Sequence, residues 1–368
     1  METYTGTKAI GLRLPIIKEG DNLNDIIIDS IKKSVNNNEY IPQENDIIGI
    51  TESLVARAEG RYVTVDDIVE DLKNKFPNNE KVFLYNPIFS RNRFSIILKA
   101  IARYFDNVVI IADTFDEVGN YIVHDITKVD YEDFYDEICR SENASCKFFT
   151  KEEVHPLQEF LKVNDNVIDC TLHVNKLDNY VGYMLQQAIK DELNYWTLKD
   201  ICNNVSEWGL LGSNKVGEEM LKLFPDSKNQ QFVENVKETL QNEFGLTNVD
   251  VMIYGDGCYK DAASGIWEFA DPVVSPAYTK GLEGTPNELK LKYLADEEFK
   301  NLNGEELQKH IKERIANKNV KQGTMETQGT TPRKYTDLLG SLMDLISGSG
   351  DKGTPVVIVQ NYFKNYSE

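Results

Sequence analysis

The chain has 368 residues, of which 41% are hydrophobic and 27% charged, and a formal net charge of -20. That balance is too apolar for a disordered chain. The charge opposes a sequence-independent grip on nucleic acid, which needs clustered Lys and Arg to displace counterions from phosphates.

In chain order, "AIGLRLPII" (9–17) reads as a strand and "NLNDIIIDSIKKSV" (22–35) as an amphipathic helix. "DIIGITESLVARAEG" (46–60) reads as a strand running into a turn or helix. "TVDDIVEDLKNKF" (64–76) opens on a threonine cap ahead of acidic residues, which predicts another helix. "KVFLYNPI" (81–88) is a strand, "SRNRFSIILKAIARYF" (90–105) a helix and "NVVIIAD" (107–113) a buried strand. Strands alternating with helices predict a mixed α/β fold whose sheets are covered by helices.

Residues 1–113 are therefore expected to form an N-terminal α/β part. Residues 114–205, rich in aromatic, acidic and asparagine residues, are weakly periodic apart from the helix-like "NYVGYMLQQAIKDEL" (179–193), and read as an insertion or subdomain. Residues 206–368 form the C-terminal part, holding the buried strand "VDVMIY" and an inserted stretch at 273–335 with a charged helix over 296–318. The chain closes with the helix "YTDLLGSLMDLI", the glycine-rich turn "SGSGDKGTP" and the strand "VVIVQ". Five cysteines without a CxxC pair suit neither a disulfide framework nor a zinc finger, which predicts a reducing, cytoplasmic setting. No run has signal-peptide character or the length to span a bilayer, so neither secretion nor membrane insertion is expected.

Two segments break local rules. With Ser90 as the cap, Arg91 and Arg93 fall in the first turn of a helix, where the dipole disfavours cations. A phosphate or carboxylate ligand would explain them, and so would pairing with surface carboxylates. After "VDVMIY", the stretch "GDGCYKD" crowds Asp256, Lys260 and Asp261 at the mouth of a strand. Such carboxylates suit Mg²⁺ or Mn²⁺ against phosphate oxygens, and such a lysine suits the charge that develops in phosphoryl transfer. A solvated loop is the alternative. Neither GxxxxGK[ST] nor GxGxxG occurs.

"GLRLPIIKEGDNLNDII" and "ENDIIGITESLVARAEGR" resemble the N-terminal signature of the gamma-glutamyl ligases of the deazaflavin coenzyme F420. The likeness resumes in "LLGSNKVGEEMLKLFPD", "VDVMIYGDGCYKD" and "DLLGSLMDLISGSGDKGTPVVIVQ". Residues 62–205 and 273–330 have no counterpart among these motifs.

The resemblance implies a ligase-like mixed fold, an intertwined homodimer, and the use of GTP (or ATP) with Mg²⁺ or Mn²⁺ to join L-glutamate to a small-molecule carboxylate through an acyl phosphate. Residue by residue, Glu59, Gly60 and Arg61 match its "EGR" turn, and Arg57 stands where the family has lysine. Ser213 and Asn214 match its "SN" turn, but the metal-binding aspartate of that turn is missing. Asp256 matches a second metal-binding aspartate, and Gly350 and Asp351 match the closing turn; Asp261 and Lys260 stand beside Asp256 by the reading of the loop itself. Abundant Asn, Lys and Ile, the mark of an AT-rich genome, keep folate open as an alternative acceptor. A non-catalytic metabolite-binding protein of the same fold is the second reading.

Overall fold

In "DIIGIT" apolar residues occupy consecutive positions, so both faces of the strand must be covered. The computed structural model describes residues 5–85, 93–112, 131–150, 161–162, 165–170, 194–255, 258–260, 267–269, 275–319, 324–327, 334–348 and 350–368. In it β2 (Asp46–Thr51) is an inner strand of a four-stranded sheet ordered β1 (Lys8–Leu12), β14 (Val356–Gln360), β2, β11 (Val249–Tyr254). β14 runs antiparallel to β1 and β2, whereas β11 runs parallel to β2.

The pleat sorts side chains between two cores. Ile48, Ile50, Val251, Ile253, Val356 and Ile358 pack with α1 (Leu23–Asn36) and α6 (Gln230–Phe244). Ile47, Met252, Val357 and Val359 pack with Leu339 and Met343 of α8 (Tyr335–Ser347). Gly49 lies under α8, and a Cβ there would fall 2.1 Å from Met343 Sδ. The strand needs glycine for the helix to approach.

The strand expected over 9–17 ends at Leu12. Pro15 has no N–H to continue a ladder, and Leu14 N–H instead meets the Gly353 carbonyl at 3.3 Å. Thr64 caps α3 (Val65–Lys75) as expected: its hydroxyl accepts the Asp67 N–H at 3.2 Å, and the Asp67 carboxylate accepts the Thr64 N–H at 2.7 Å.

A second sheet is wholly parallel, ordered β6 (Ser145–Thr150), β5 (Asn107–Ala112), β4 (Lys81–Tyr85), β7 (Asn166–Asp169), β8 (Asn194–Thr197). The order reverses direction between β4 and β7, as in doubly wound α/β units. β4 and β5 precede residue 113 and the other three strands follow it. The expected helix at 179–193 lies outside the described residues. One face of this sheet is covered by α3, α4 (Arg93–Tyr104) and α5 (Tyr131–Ser141).

A three-stranded sheet, β3 (Tyr62–Thr64), β10 (Met220–Leu223), β9 (Ser213–Lys215), closes over α4. Leu221 and Leu223 enter the same core as Ile97, Leu98 and Ile101, which explains why α4 is apolar almost all round. The helix expected over 296–318 is observed as α7 (Gly304–Ala316). No described helix is long and apolar enough to cross a membrane.

Gly49→Ala should destabilise the protein by about 1–3 kcal/mol, the usual cost of overpacking a filled core. Urea denaturation reads it directly. An unchanged midpoint would mean that Met343 has somewhere to go.

Candidate functional site

Parallel pairing places the carboxyl ends of β2 and β11 side by side, with Thr51 opposite Tyr254. The Pro355 carbonyl, just before β14, takes the Thr51 N–H at 3.0 Å and the Tyr254 hydroxyl at 3.4 Å. Gly353 holds Leu14. The segments "LRLP", "ITES", "MIYG" and "DKGTP" therefore meet at one end of the four-stranded sheet. Gly350 and Asp351 are exposed in a short 3-10 turn (Gly350–Lys352) that leads into the last of these segments.

Asp256 follows two positions after Tyr254; it, Asp261 and Arg91 lie outside the described residues. Lys260 is described by its backbone, in a hairpin of β12 (Cys258–Lys260) with β13 (Trp267–Phe269).

From Thr51 the chain turns directly into α2 (Glu52–Ala58), which ends in the turn Glu59–Gly60–Arg61. Gly60 has φ +67°, and a Cβ there would lie 2.5 Å from the Glu19 carboxyl carbon. Gly20 N–H donates to the Ala58 carbonyl at 2.9 Å, so "IKEGD" and "RAEGR" pack on each other. Arg57 is exposed in the last turn of α2.

Arg61 turns inward. Its guanidinium grips Asp226 with two nitrogens, at 3.1 and 3.3 Å, donates to the Val205 carbonyl at 2.9 Å and pairs with Glu59 through Nε. The Asn229 amide donates to the other Glu59 oxygen. Burial opposes the Arg61 charge, yet Glu59 and Asp226 outweigh it and raise the guanidinium pKa.

Two residues of this region lie inside the family-type segments but escaped the sequence reading as site residues. Glu52, the first residue of α2, is 1% exposed, and its Oε1 accepts from Lys222 Nζ at 2.8 Å and from Asn214 Nδ2 at 3.3 Å. The signal for Lys222 is a charge inside the apolar run "MLKLF"; for Glu52 it is a carboxylate abutting a fully buried strand. Ser213 is buried, and its hydroxyl donates to the Leu210 carbonyl at 2.7 Å. The "LLGSNK" segment forms β9 and a hairpin with β10, and the next long helix begins only at Gln230. Arg93, the first described residue of α4, donates to the Leu211 carbonyl at 2.5 Å.

Among the described residues, no group of three or more His, Cys, Asp or Glu side chains could hold a metal ion. Glu52 is instead met by an ammonium. The described part of this end thus holds a buried Glu52–Lys222 ion pair and a turn braced by Arg61, and does not by itself fit a divalent cation.

The strand ends and glycine turns thus gather at one edge of an α/β scaffold, the place where such folds carry their ligand sites. The family model described as F420-0:Gamma-glutamyl ligase matches residues 11–361, so the chain belongs to that family of ligases. The match runs across 62–205 and 273–330, for which the motifs alone offered no counterpart. No curated protein matches the chain significantly.

Arg61→Ala leaves the Asp226 carboxylate buried without its guanidinium, and stability should fall by about 3–5 kcal/mol. Arg61→Met/Asp226→Leu, which removes both charges, should recover most of that loss. Chemical denaturation of the three proteins gives the comparison; equal losses in the single and double variants would deny that the charge pair is the cause.

Proposed function

We propose that the protein is a nucleotide-dependent amide ligase that joins L-glutamate to a small-molecule carboxylate. The meeting of the family-type segments at the carboxyl ends of β2 and β11, in a chain of this ligase family, is the observation that carries the reading. A carboxylate oxygen of the acceptor attacks the terminal phosphorus of GTP or ATP, and the bond to the departing diphosphate breaks. The glutamate amine then attacks the acyl phosphate carbonyl, phosphate leaves, and the nitrogen loses its proton. The chain's part is to position these groups and to place cations where negative charge gathers.

Lys260, Arg57, Arg91 and the Gly350–Asp351 turn belong to the phosphate-handling side of this proposal. Mg²⁺ or Mn²⁺ belongs to it too, with Asp256 and Asp261, both outside the described residues, as its carboxylates. The acceptor is F420-0 or, as the alternative, folate; the reading includes a cytoplasmic homodimer.

A nucleotide at about 100 times its dissociation constant stabilises the native state by about 2.7 kcal/mol, a shift of a few degrees in melting temperature. One of GTP or ATP should produce that shift in the presence of Mn²⁺, and Asp256→Asn should abolish it without lowering the melting temperature of the free protein. Phosphate release should require both glutamate and an acceptor, screened with F420-0 and folate. Nucleotide binding without such release would replace the ligase with a binding protein of the same fold.

A further inference from the structure

β10 alternates between two environments. Leu221 and Leu223 are fully buried in the core shared with α4, and Lys222 between them takes the opposite face of the strand. Its cross-strand neighbours there are Tyr62 on β3 and Asn214 on β9. The residue is 4% exposed, and the side chains of Lys222 and Glu52 are 6% and 2% exposed.

An ammonium carries three N–H donors. Among the described residues, Lys222 Nζ makes one hydrogen bond, to Glu52 Oε1. A cation this deeply buried needs acceptors for its remaining donors, from water or from a ligand oxygen.

Arg61, a half-buried cation of the same region, has four of its five N–H donors engaged. Two oxygens of Asp226, the Val205 carbonyl and Glu59 engage its guanidinium, and it acts as a brace. Lys222 is built differently. Asn214 and Lys222 converge on one oxygen of Glu52, so the carboxylate is fixed from two sides and in turn fixes the ammonium. Glu52 follows Thr51 directly, which puts this ammonium at the end of the sheet where the glycine-bearing segments meet. A compact ammonium with rotatable donors is suited to a phosphoryl group as a point charge.

We propose that Lys222, held in place by Glu52, binds an oxygen of the terminal phosphoryl group of the nucleoside triphosphate. The assignment rests on the ligase reading above. As the phosphoryl group passes to the acceptor carboxylate, charge is spread over its oxygens, and the ammonium stays with them. Glu52 does not touch substrate; it is a positioning residue.

The test compares the full-length protein with Glu52→Gln/Lys222→Met, which removes both buried charges together and so leaves neither uncompensated. Affinities for GTP, ATP and their diphosphates are measured by calorimetry with Mn²⁺ present, alongside glutamate-dependent phosphate release. The double variant should bind the preferred triphosphate about tenfold or more weakly, as for loss of a charge-assisted hydrogen bond, while the diphosphate loses less than about twofold. Equal triphosphate affinity in both proteins would overturn the role of Lys222 and leave the ligase standing. A wild type that binds neither triphosphate and releases no phosphate would bring down both. Should the double variant fail to fold, amine acylation of the wild type, read by mass spectrometry, decides. Triphosphate should slow labelling of Lys222 several-fold relative to exposed Lys215, and an unchanged rate would refute the contact.

Discussion

The parallel pairing of β2 with β11, from Asp46 opposite Val249 to Thr51 opposite Tyr254, is the constraint on which the rest of the molecule depends. Parallel neighbours cannot be joined by a hairpin, so everything from residue 52 to residue 248 has to be accommodated in one crossover. That crossover contains the five-stranded sheet, the three-stranded sheet and α6. Because both strands point the same way, their carboxyl ends open on one edge, and the chain that leaves β2 and the chain that leaves β11 begin there together. Burial on both faces in turn demands apolar runs such as "DIIGIT" and a glycine where α8 comes closest.

The three-stranded sheet joins the two larger ones by being different on its two faces. Toward α4 it offers Leu221 and Leu223; toward β2 and α2 it offers Asn214 and Lys222. A one-residue slip of β10 would carry Lys222 into the apolar core and set a leucine against Glu52, so the buried charge penalises the wrong register. Buried ion pairs are poor sources of net stability, since desolvation offsets most of their attraction, but they discriminate sharply between arrangements. Arg61 and Lys222 serve that end with different chemistry. The planar guanidinium fork closes on Asp226 from two nitrogens, while the ammonium meets Glu52 at a single point.

What the sequence discloses follows the physics of each segment. The helices starting near residues 23, 65 and 335 have a covered stripe, the first two also a capping side chain, and each was legible to within a residue or two. Between 114 and 205 the strands are hard to read, because "NVID" and "NYWT" are four residues long and bury polar side chains, Asn166 and Asp169 at the two ends of the first and Thr197 at the end of the second. Asn166 is an example: it is 1% exposed because its amide bonds the carbonyls of Asn78 and Lys81, partners far off in sequence. The site divides in the same way. The glycine turns announce themselves by their spacing, and packing of Glu19 against Gly60 joins two of them. Glu52 and Lys222 each carry only a faint local signal, a charge against or inside an apolar run, and nothing local links them: they meet at 2.8 Å across 170 positions of sequence.

The segment from Leu210 to Asn214 shows how the parallel sheet bears on the site. Leu210 and Leu211 are buried in the core that α4 shares, and Arg93 at the start of α4 holds the Leu211 carbonyl. Ser213 closes back on Leu210, and Asn214 reaches Glu52. Five consecutive residues are thus anchored at one end to the helix that follows β4 and at the other to the carboxylate that positions Lys222. Interiors packed at crystal density transmit a displacement instead of absorbing it. Any movement of the first turn of α4 therefore reaches the Leu211 carbonyl first and Asn214 three residues later. Of the two arginines that break the helix-dipole rule in "SRNRFS", Arg93 begins that turn and has a structural partner that explains its position: a backbone carbonyl of the segment leading into the site.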